Sequence, residues 1–572
     1  MSRSTTVIRD AFRTSTSSLA GPSRFRTVTP LTTSLPKFQS YCPKHHQYQY
    51  YSTTSSISNA SSSQLIQKPQ PHQHPAFETL SSELSLTQPC FGARGDEVEL
   101  LTSPQMFYAR LLEMIKRAKR RILISSLYIG AEEGELVDSI RHALSTNPQL
   151  RVAFILDYHR STRLSRNSSS SLPPSTAHLL LPLVEAFPDR CEVWLYRSPK
   201  LRGLMEKIVP ERYDEGWGTW HGKWYGVDDE VLISGANLAS SYFTNRQDRY
   251  IHFRSNPSLL SYLSSLTRLF TQYSYLLHHS PPAHISPTYT VPLPNLDSKE
   301  QHKASLIWPS ASIHPRKFST HALATLTAFQ NSWKASNSSR SRRVDIDTWF
   351  WPVIQSGVLG LTEEEKNLSK VWNAVRQSFE GDEENGRVEI DLTSGYFGLY
   401  KEYKKEVIHS PANVNVIAAS PKANGFYGSK GFSRLIPEGY TLLESRFHRE
   451  AVRKGREWNE EKGTGVRLRE WEKEGWTYHS KGIWLSPSLP KSNPFFTFIG
   501  SSNLSTRSLN LDTELSLLMM TSSPSLRKAL NQEVKSINKD AKDVGADTWN
   551  SEERKVSLLA RVLVALGVEG ML

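Results

Sequence analysis

The sequence predicts an α/β protein built as two similar lobes that share one active-site cleft, and three observations carry that reading. A phrase occurs twice, EGWGTWHGKWYG at 215–226 and EGWTYHSKGIWL at 474–485. Each copy is followed by an asparagine and then an acid. Asn237 and Asp248 follow His221 by 16 and 27 positions, whereas Asn503 and Glu514 follow His479 by 24 and 35, so one eight-residue insertion within SPSLPKSNPF explains both offsets. Each phrase is also preceded by the same order of helix, buried strand, helix and buried strand. This is an internal duplication of a whole lobe, too long and too few in copies for a solenoid.

Taken from the start, residues 1–77 hold eight Lys/Arg against the single acid Asp10, so they carry +7 of the formal +13. They are rich in Ser and Thr and punctuated by Arg3, Arg9, Arg13, Arg24 and Arg26. That is the composition of a mitochondrial transit peptide, or else of a disordered basic tail. Order is expected to begin near residue 85, and the first lobe spans 85–280. FYARLLEMIKRAKRRILISSLYIG reads as an amphipathic helix running into a buried strand, ELVDSIRHAL as a helix, and LRVAFILDYHRSTR as a strand ending in a basic loop. NSSSSLPPS at 167–175 reads as an exposed loop. EVLISGANL is a strand and SLLSYLSSLTRLFTQYSYLL a helical run. A Pro-rich linker is expected at 281–300. The second lobe, 301–545, restarts the pattern: a helix around Lys370 to Phe379, then RVEIDLTSGYFG in the place of RILISSLYIG and NVNVIAAS in the place of RVAFILDY. Residues 546–572 read as a C-terminal helix.

Composition narrows the class. With 38% hydrophobic and 22% charged residues the chain is of ordinary globular type. No apolar run reaches the roughly 18 residues of a spanning helix. Cys42, Cys90 and Cys191 show no metal-ligand spacing and imply no disulfide framework, which fits a reducing compartment.

The chemistry lies in the repeated phrase. Histidine and lysine two apart on an extended segment face the same way, and that pairing suits a phosphate. Lys223, Lys481 and the amides of Asn237 and Asn503 would bind non-bridging oxygens. His221 and His479 would attack phosphorus or shuttle a proton near neutral pH. Asp248 and Glu514, as later carboxylates, would accept an imidazole N–H; Asp512 is an alternative to Glu514, and a surface ion pair with Arg249 an alternative role for Asp248.

These residues are where the chain resembles the phospholipase D superfamily, whose signature is HxKxxxxD followed by a Gly/Ser-rich turn and Asn. The first copy, His221 to Asp228, matches it; the second has Ser486 at the aspartate position, which makes the lobes unequal. The resemblance covers roughly 90–540 and implies catalytic roles for His221, Lys223, Asp228, His479 and Lys481. Within the superfamily the stretches SYFTNRQDRY, DTWFWPVIQSG, ANGFYGSKGFSRLIPEGY and SSNLSTRSLNLDTELSLLM are similar to those of mitochondrial phosphatidyltransferases of the cardiolipin pathway. The resemblance implies CDP-diacylglycerol and glycerol 3-phosphate as substrates, CMP as leaving product, a phosphatidyl-histidine intermediate, and a peripheral place on the matrix side of the inner membrane. Rival readings are a phosphatidylserine synthase, a phospholipase or nuclease using water, and a non-enzymatic lipid- or nucleic-acid-binding protein.

Secondary candidates are weaker. Arg160 and Arg163 in DYHRSTR suit a substrate phosphate, as do Lys422, Lys430 and Arg434 among the glycines of PKANGFYGSKGFSR; solvated loops are the competing reading. The glycine stretch matches no P-loop, so no ATP site is expected; the motifs supply no evident metal cage, and neither a metal nor a cofactor is expected. Trp349-Phe350-Trp351 and SLLARVLVALGV suit either a lipid interface or core packing.

Overall fold

Two mixed sheets of ten strands each organise the chain. The computed structural model describes residues 74–164, 172–209, 211–279, 289–294, 304–337, 345–380, 387–488 and 491–565. The presequence expected over 1–77 lies outside the described residues up to position 73, as do 167–171 of the expected exposed loop, most of the Pro-rich linker, and 566–572.

Three parallel strands form the centre of the first sheet: Arg121–Ser125, Arg151–Asp157 and Cys191–Tyr196. Their near-continuous apolar character fits strands covered on both faces. Antiparallel strands Trp224–Val227, Glu230–Ser234, Tyr250–Phe253 and Val98–Leu101 extend one side in that order. The second sheet repeats the plan. Val388–Ser394, Asn413–Ala419 and Val466–Trp471 are its parallel centre. Lys481–Pro487, Phe496–Gly500, Glu514–Thr521 and Thr348–Ser356 follow in the corresponding places. The duplication inferred from the motif spacing is therefore a duplication of sheet topology.

Helices cover the sheets through apolar faces at helical spacing. In Pro104–Lys116, Phe107, Leu111, Met114 and Ile115 are buried, and Ser103 caps the start by accepting from the Met106 amide at 3.2 Å. Pro257–Thr271 begins in the same way, with Asn256 accepting from the Leu259 amide at 2.9 Å. The end of that predicted helical run is instead a strand, Ser274–His279, paired with Cys191–Tyr196.

The lobe boundaries differ from those expected. Helical structure begins at Pro75 rather than near 85, because Phe77, Leu80 and Leu84 form an apolar face that packs into the core of the second lobe. The rings of Phe77 and Phe495 meet edge to face at 4.9 Å. Phe91–Ala93 then pairs with Thr348–Ser356, so this first segment belongs to the second sheet. In exchange, Thr290–Pro292, within the expected linker, and Ala304–Ile307, expected in the second lobe, both extend the first sheet. Trp349-Phe350-Trp351 lies in an inner strand with Phe350 and Trp351 buried, which overturns the lipid-interface reading of that triplet. The expected helix over 546–572 is, where described, a short helix Ala546–Asn550 and a second, Leu558–Ala565.

Arg249 fastens the lobes together. Its side chain is 1% exposed, donates to both oxygens of Glu533 at 2.9 and 2.8 Å and to the Phe498 carbonyl at 2.8 Å, and stacks 3.8 Å from the Trp484 ring. The surface ion pair weighed for Asp248 is thus replaced by a buried one that reaches across to the other lobe. Gly482, at φ +151°, makes room for it: a Cβ there would fall 2.0 Å from the guanidinium.

Candidate active site

Both histidines sit in extended segments just before a strand, and each segment is paired to the opposite lobe. The His221 amide donates to the Thr513 carbonyl at 2.9 Å, and the Thr513 amide to the Thr219 carbonyl at 2.9 Å. Thr477–Tyr478 pairs in parallel with Arg246–Gln247, and the His479 amide donates to the Gln247 carbonyl at 2.8 Å. The two connections are equivalent under exchange of the lobes.

That pairing crosses the carboxylates. Nδ1 of His221 lies 2.8 Å from Glu514, and Nδ1 of His479 lies 2.6 Å from Asp248. The acid that follows each histidine along the chain therefore serves the other histidine. Ser501 Oγ holds Glu514 by donating to it at 2.5 Å, and the Arg249 amide holds Asp248 at 2.8 Å. Asp512 does not take the place of Glu514; Arg507 and Thr219 occupy it, each at 2.9 Å. His221, Asp512 and Glu514 do bring three donor atoms within 4.8 Å of one another. Asp512 is already paired with Arg507 at 2.9 Å, and Glu514 with His221 and Ser501, so in this structure these groups are engaged in orienting the imidazole.

The lysines lie beside their histidines. Lys223 Nζ donates to the His221 carbonyl at 2.7 Å. Lys481 Nζ lies 3.6 Å from Asp248, 2.6 Å from His479 Nδ1 and 3.3 Å from its Nε2. Nδ1 carries one proton at most, so Asp248 and Lys481 compete for it. Burial lowers both ammonium pKa values, to about 7 for Lys223 and about 8 for Lys481. Burial also lowers both imidazoles. Glu514 opposes the effect at His221, whereas the cations Lys481, Arg246 and Lys223 reinforce it at His479. The paired segments and the crossed carboxylates hold both histidines at the junction of the two lobes.

Asn237 and Asn503 follow at the ends of corresponding strands. Asn237 Nδ2 donates to the Tyr242 hydroxyl at 3.0 Å, and Ser394 Oγ donates to the Asn503 carbonyl at 2.9 Å. The side-chain oxygens of both asparagines are buried without a partner among the described residues. Native proteins rarely leave such atoms unmatched, and an amide can present either end. Together with the two ammonium groups they form a set suited to phosphate oxygens.

Asp228, expected among the catalytic residues, is placed elsewhere. It occupies the tight turn at the far end of Trp224–Val227, at φ +54°, where aspartate is tolerated better than most residues. Its carboxylate accepts from the backbone amides of Lys119 and Arg120 at 2.8 and 2.7 Å. Its position in the motif is thus explained by holding a turn. In the second copy, Ser486 pairs within the longer strand Lys481–Pro487, opposite Glu389, and has no such turn to hold.

Among the weaker candidates, Arg160 reaches the cleft wall, 4.4 Å over the Tyr128 ring, and shares Glu215 with Arg163. Lys422, Lys430 and Arg434 are exposed and make no ion pair among the described residues; their loop meets the cleft through Gly425, beside Arg246 and Tyr396, through the Phe426 ring 6.0 Å from that of Tyr396, and through the Ala423 carbonyl, which accepts from the Tyr478 amide at 2.8 Å. Four further residues shape the site without being marked by the repeated phrase: Arg246, Tyr242, Tyr396 and Asp157. Arg246 stacks 4.4 Å over Tyr242 and donates to Thr477 at 2.9 Å, and Tyr242 and Tyr396 close edge-on around His479 at 5.2 and 5.4 Å. The signal was its position two residues before Asp248. Asp157, pushed up to about 8 by burial, accepts from the Trp220 amide at 2.9 Å and so fixes the residue before His221. Only its place at the end of RVAFILD hinted at this.

Comparison with known proteins adds the following. No family model matches the chain. The CDP-diacylglycerol–glycerol-3-phosphate 3-phosphatidyltransferase of Schizosaccharomyces pombe is 33% identical over 516 residues, covering 86% of this chain and 97% of that protein. The Saccharomyces cerevisiae protein of the same name is 34% identical, covering 84% and 89%, and a mitochondrial one from Gallus gallus is 31% identical, covering 84% of each. The crystal structure of phosphatidylserine synthase from Haemophilus influenzae superposes with a TM-score of 0.59 at 18% identity, over 86% of this chain and 99% of that one, a likeness of fold.

Proposed function

The chain belongs to the family of CDP-diacylglycerol–glycerol-3-phosphate 3-phosphatidyltransferases, and on that premise we propose that it moves the phosphatidyl group of CDP-diacylglycerol onto glycerol 3-phosphate and releases CMP. The observation that carries the reading is the pair of imidazoles, each held at Nδ1 by a carboxylate of the opposite lobe. Such a pair supports a double displacement. Nε2 of His221 attacks the diacylglycerol-side phosphorus, and the bond from phosphorus to the CMP oxygen breaks as His479 protonates that oxygen. His479 then takes the proton of the glycerol 3-phosphate hydroxyl, whose oxygen attacks phosphorus and frees His221. Lys223, Lys481, Asn237 and Asn503 hold the non-bridging oxygens in both steps.

The full HxKxxxxD pattern gives no reason to assign the nucleophile, since Asp228 holds a turn. The lone pairs give one. Lys481 lies against Nε2 of His479, and the His479 side chain is 3% exposed against 11% for His221. His221 thus presents the freer nitrogen. The negative pyrophosphate of an arriving donor would raise the pKa of His479 and charge it for its role as acid.

Relatives from chicken, mouse and cow are named as mitochondrial. We place this protein in mitochondria, on the matrix face of the inner membrane, as a peripheral enzyme supplying the cardiolipin pathway. No helix among the described residues is long and apolar enough to cross a membrane. The acceptor decides between this reading and its rivals. Labelled CDP-diacylglycerol should release CMP with glycerol 3-phosphate and not with serine, phosphatidylglycerol or water alone. Release with serine would overturn the assignment.

A further inference from the structure

Away from the histidines, a cavity of about 340 Å³ opens between helix Leu435–Arg453 and helix Leu558–Ala565. Four arginines line it: Arg446, Arg449, Arg554 and Arg561. Arg554 is neutralised, donating to Glu470 at 2.6 Å, and buried Glu444 beside that carboxylate is pushed well above its usual range by burial and by Glu470. The other three make no ion pair among the described residues. Among the described residues the Arg449 side chain reaches the Ser445 hydroxyl alone, and that of Arg561 the Val556 carbonyl at 3.2 Å. The indole N–H of Trp549, also in the lining, is buried without an acceptor among the described residues. Three exposed guanidinium groups with no carboxylate partner among the described residues, beside an unmatched indole donor, suit a phosphate.

The surroundings say which phosphate. On helix Leu558–Ala565, Ala560 and Val564 face inward, whereas Leu558, Leu559 and Val562 are 77%, 45% and 44% exposed. Basic side chains around exposed leucines on a short helix suit the headgroup boundary of a bilayer. A free phosphate would make no use of the leucines. The same helix that carries Arg446 and Arg449 also carries Tyr440, whose ring meets Tyr396 at 5.6 Å on the wall around His479. From Tyr440 to Arg449 is nine residues, about 14 Å along a helix. We propose that this cavity binds the headgroup of an anionic membrane phospholipid, with Leu558, Leu559 and Val562 resting in the bilayer surface, and so sets the catalytic cleft against the membrane that holds its lipid substrate.

The site is separate from the histidines, and its test needs no turnover, so it fails or stands independently of the acceptor assay. The full chain is sedimented with vesicles of phosphatidylcholine alone or mixed with phosphatidylglycerol. Wild type should bind the mixed vesicles more tightly, and millimolar inorganic phosphate should not release it. The R446Q/R449Q variant should lose roughly tenfold or more in affinity, and R446K/R449K should keep most of it. L558S/V562S should also bind weakly, and it carries the test alone if R446Q/R449Q fails to fold. Equal binding by wild type and the variants would overturn the proposal. So would an equal loss in K535Q/K539Q, whose exposed lysines lie on another helix, because diffuse charge would then explain the binding.

Discussion

At His221 and His479 the partner of each imidazole comes from the far half of the chain, and this sets what single substitutions should do. Glu514→Gln leaves the His221 ring in place but removes the charge that fixes its tautomer, so formation of the covalent lipid adduct should slow by about 10²–10⁴. Rapid quenching with labelled donor measures it; adduct forming at the wild-type rate would show that Glu514 does not serve His221. His221→Ala should form no adduct, whereas His479→Ala should accumulate one, and mass spectrometry of the quenched protein would locate it. Asp228→Ala should behave differently. It leaves two or three amides unmatched and should cost about 1–3 kcal/mol of stability, visible in thermal melts, while kcat of the folded protein stays unchanged. A large loss of kcat would return Asp228 to the catalytic set. The histidines, lysines and asparagines were legible because two copies keep them at matched offsets. The crossing was not, since the spacing within a copy is the same whichever histidine its acid serves. Asp228 misled for a related reason: a repeated signature records which residues occur together without separating chemistry from turn geometry.

The two parallel centres and the helices that cover them were readable as elements because continuous apolar runs and helical spacing are local signals. What escaped was exchange between the lobes. Helix Pro75–Thr87 and strand Phe91–Ala93 precede the first lobe in sequence yet belong to the second, and nothing local in FETLSSELSLT says which core its apolar face will meet. Phe77→Ala should therefore destabilise the second lobe by about 3–5 kcal/mol, read by hydrogen exchange in the strands around Phe495. Removing residues 1–87 should lower the melting temperature below that of a chain lacking only 1–73. Equal stability of the two truncations would show that the helix contributes nothing. Gly482→Ala would drive a methyl group into the Arg249 guanidinium, and it should loosen the lobes by at least ~2 kcal/mol, because Arg249 and Glu533 would lose their buried pairing.

Over the whole molecule, both lobes contribute cations to one buried space, and the pH response should report it. Lys223 and Lys481 titrate near 7 and 8 because burial disfavours their charged forms. Each is charged below its own value and neutral above it, so the free enzyme loses phosphate-binding charge as pH rises through 7–8. Accordingly kcat/KM should fall on that alkaline limb. The kcat profile should bend at a higher pH, since bound pyrophosphate raises both lysines. Coincident limbs would argue against their contact with the donor. The crossed carboxylates have a further consequence, for the history of each newly made molecule. Glu514 lies 293 positions after His221, and Asp248 lies 231 before His479. A chain emerging from its N-terminus completes its first lobe while His221 still lacks the anion that orients it. The first lobe alone holds one unaided histidine, and so does the second. Nascent or broken chains that meet a membrane should therefore spare its lipids, with cleavage of a phosphate ester expected only once the last inner strand, Glu514–Thr521, has docked.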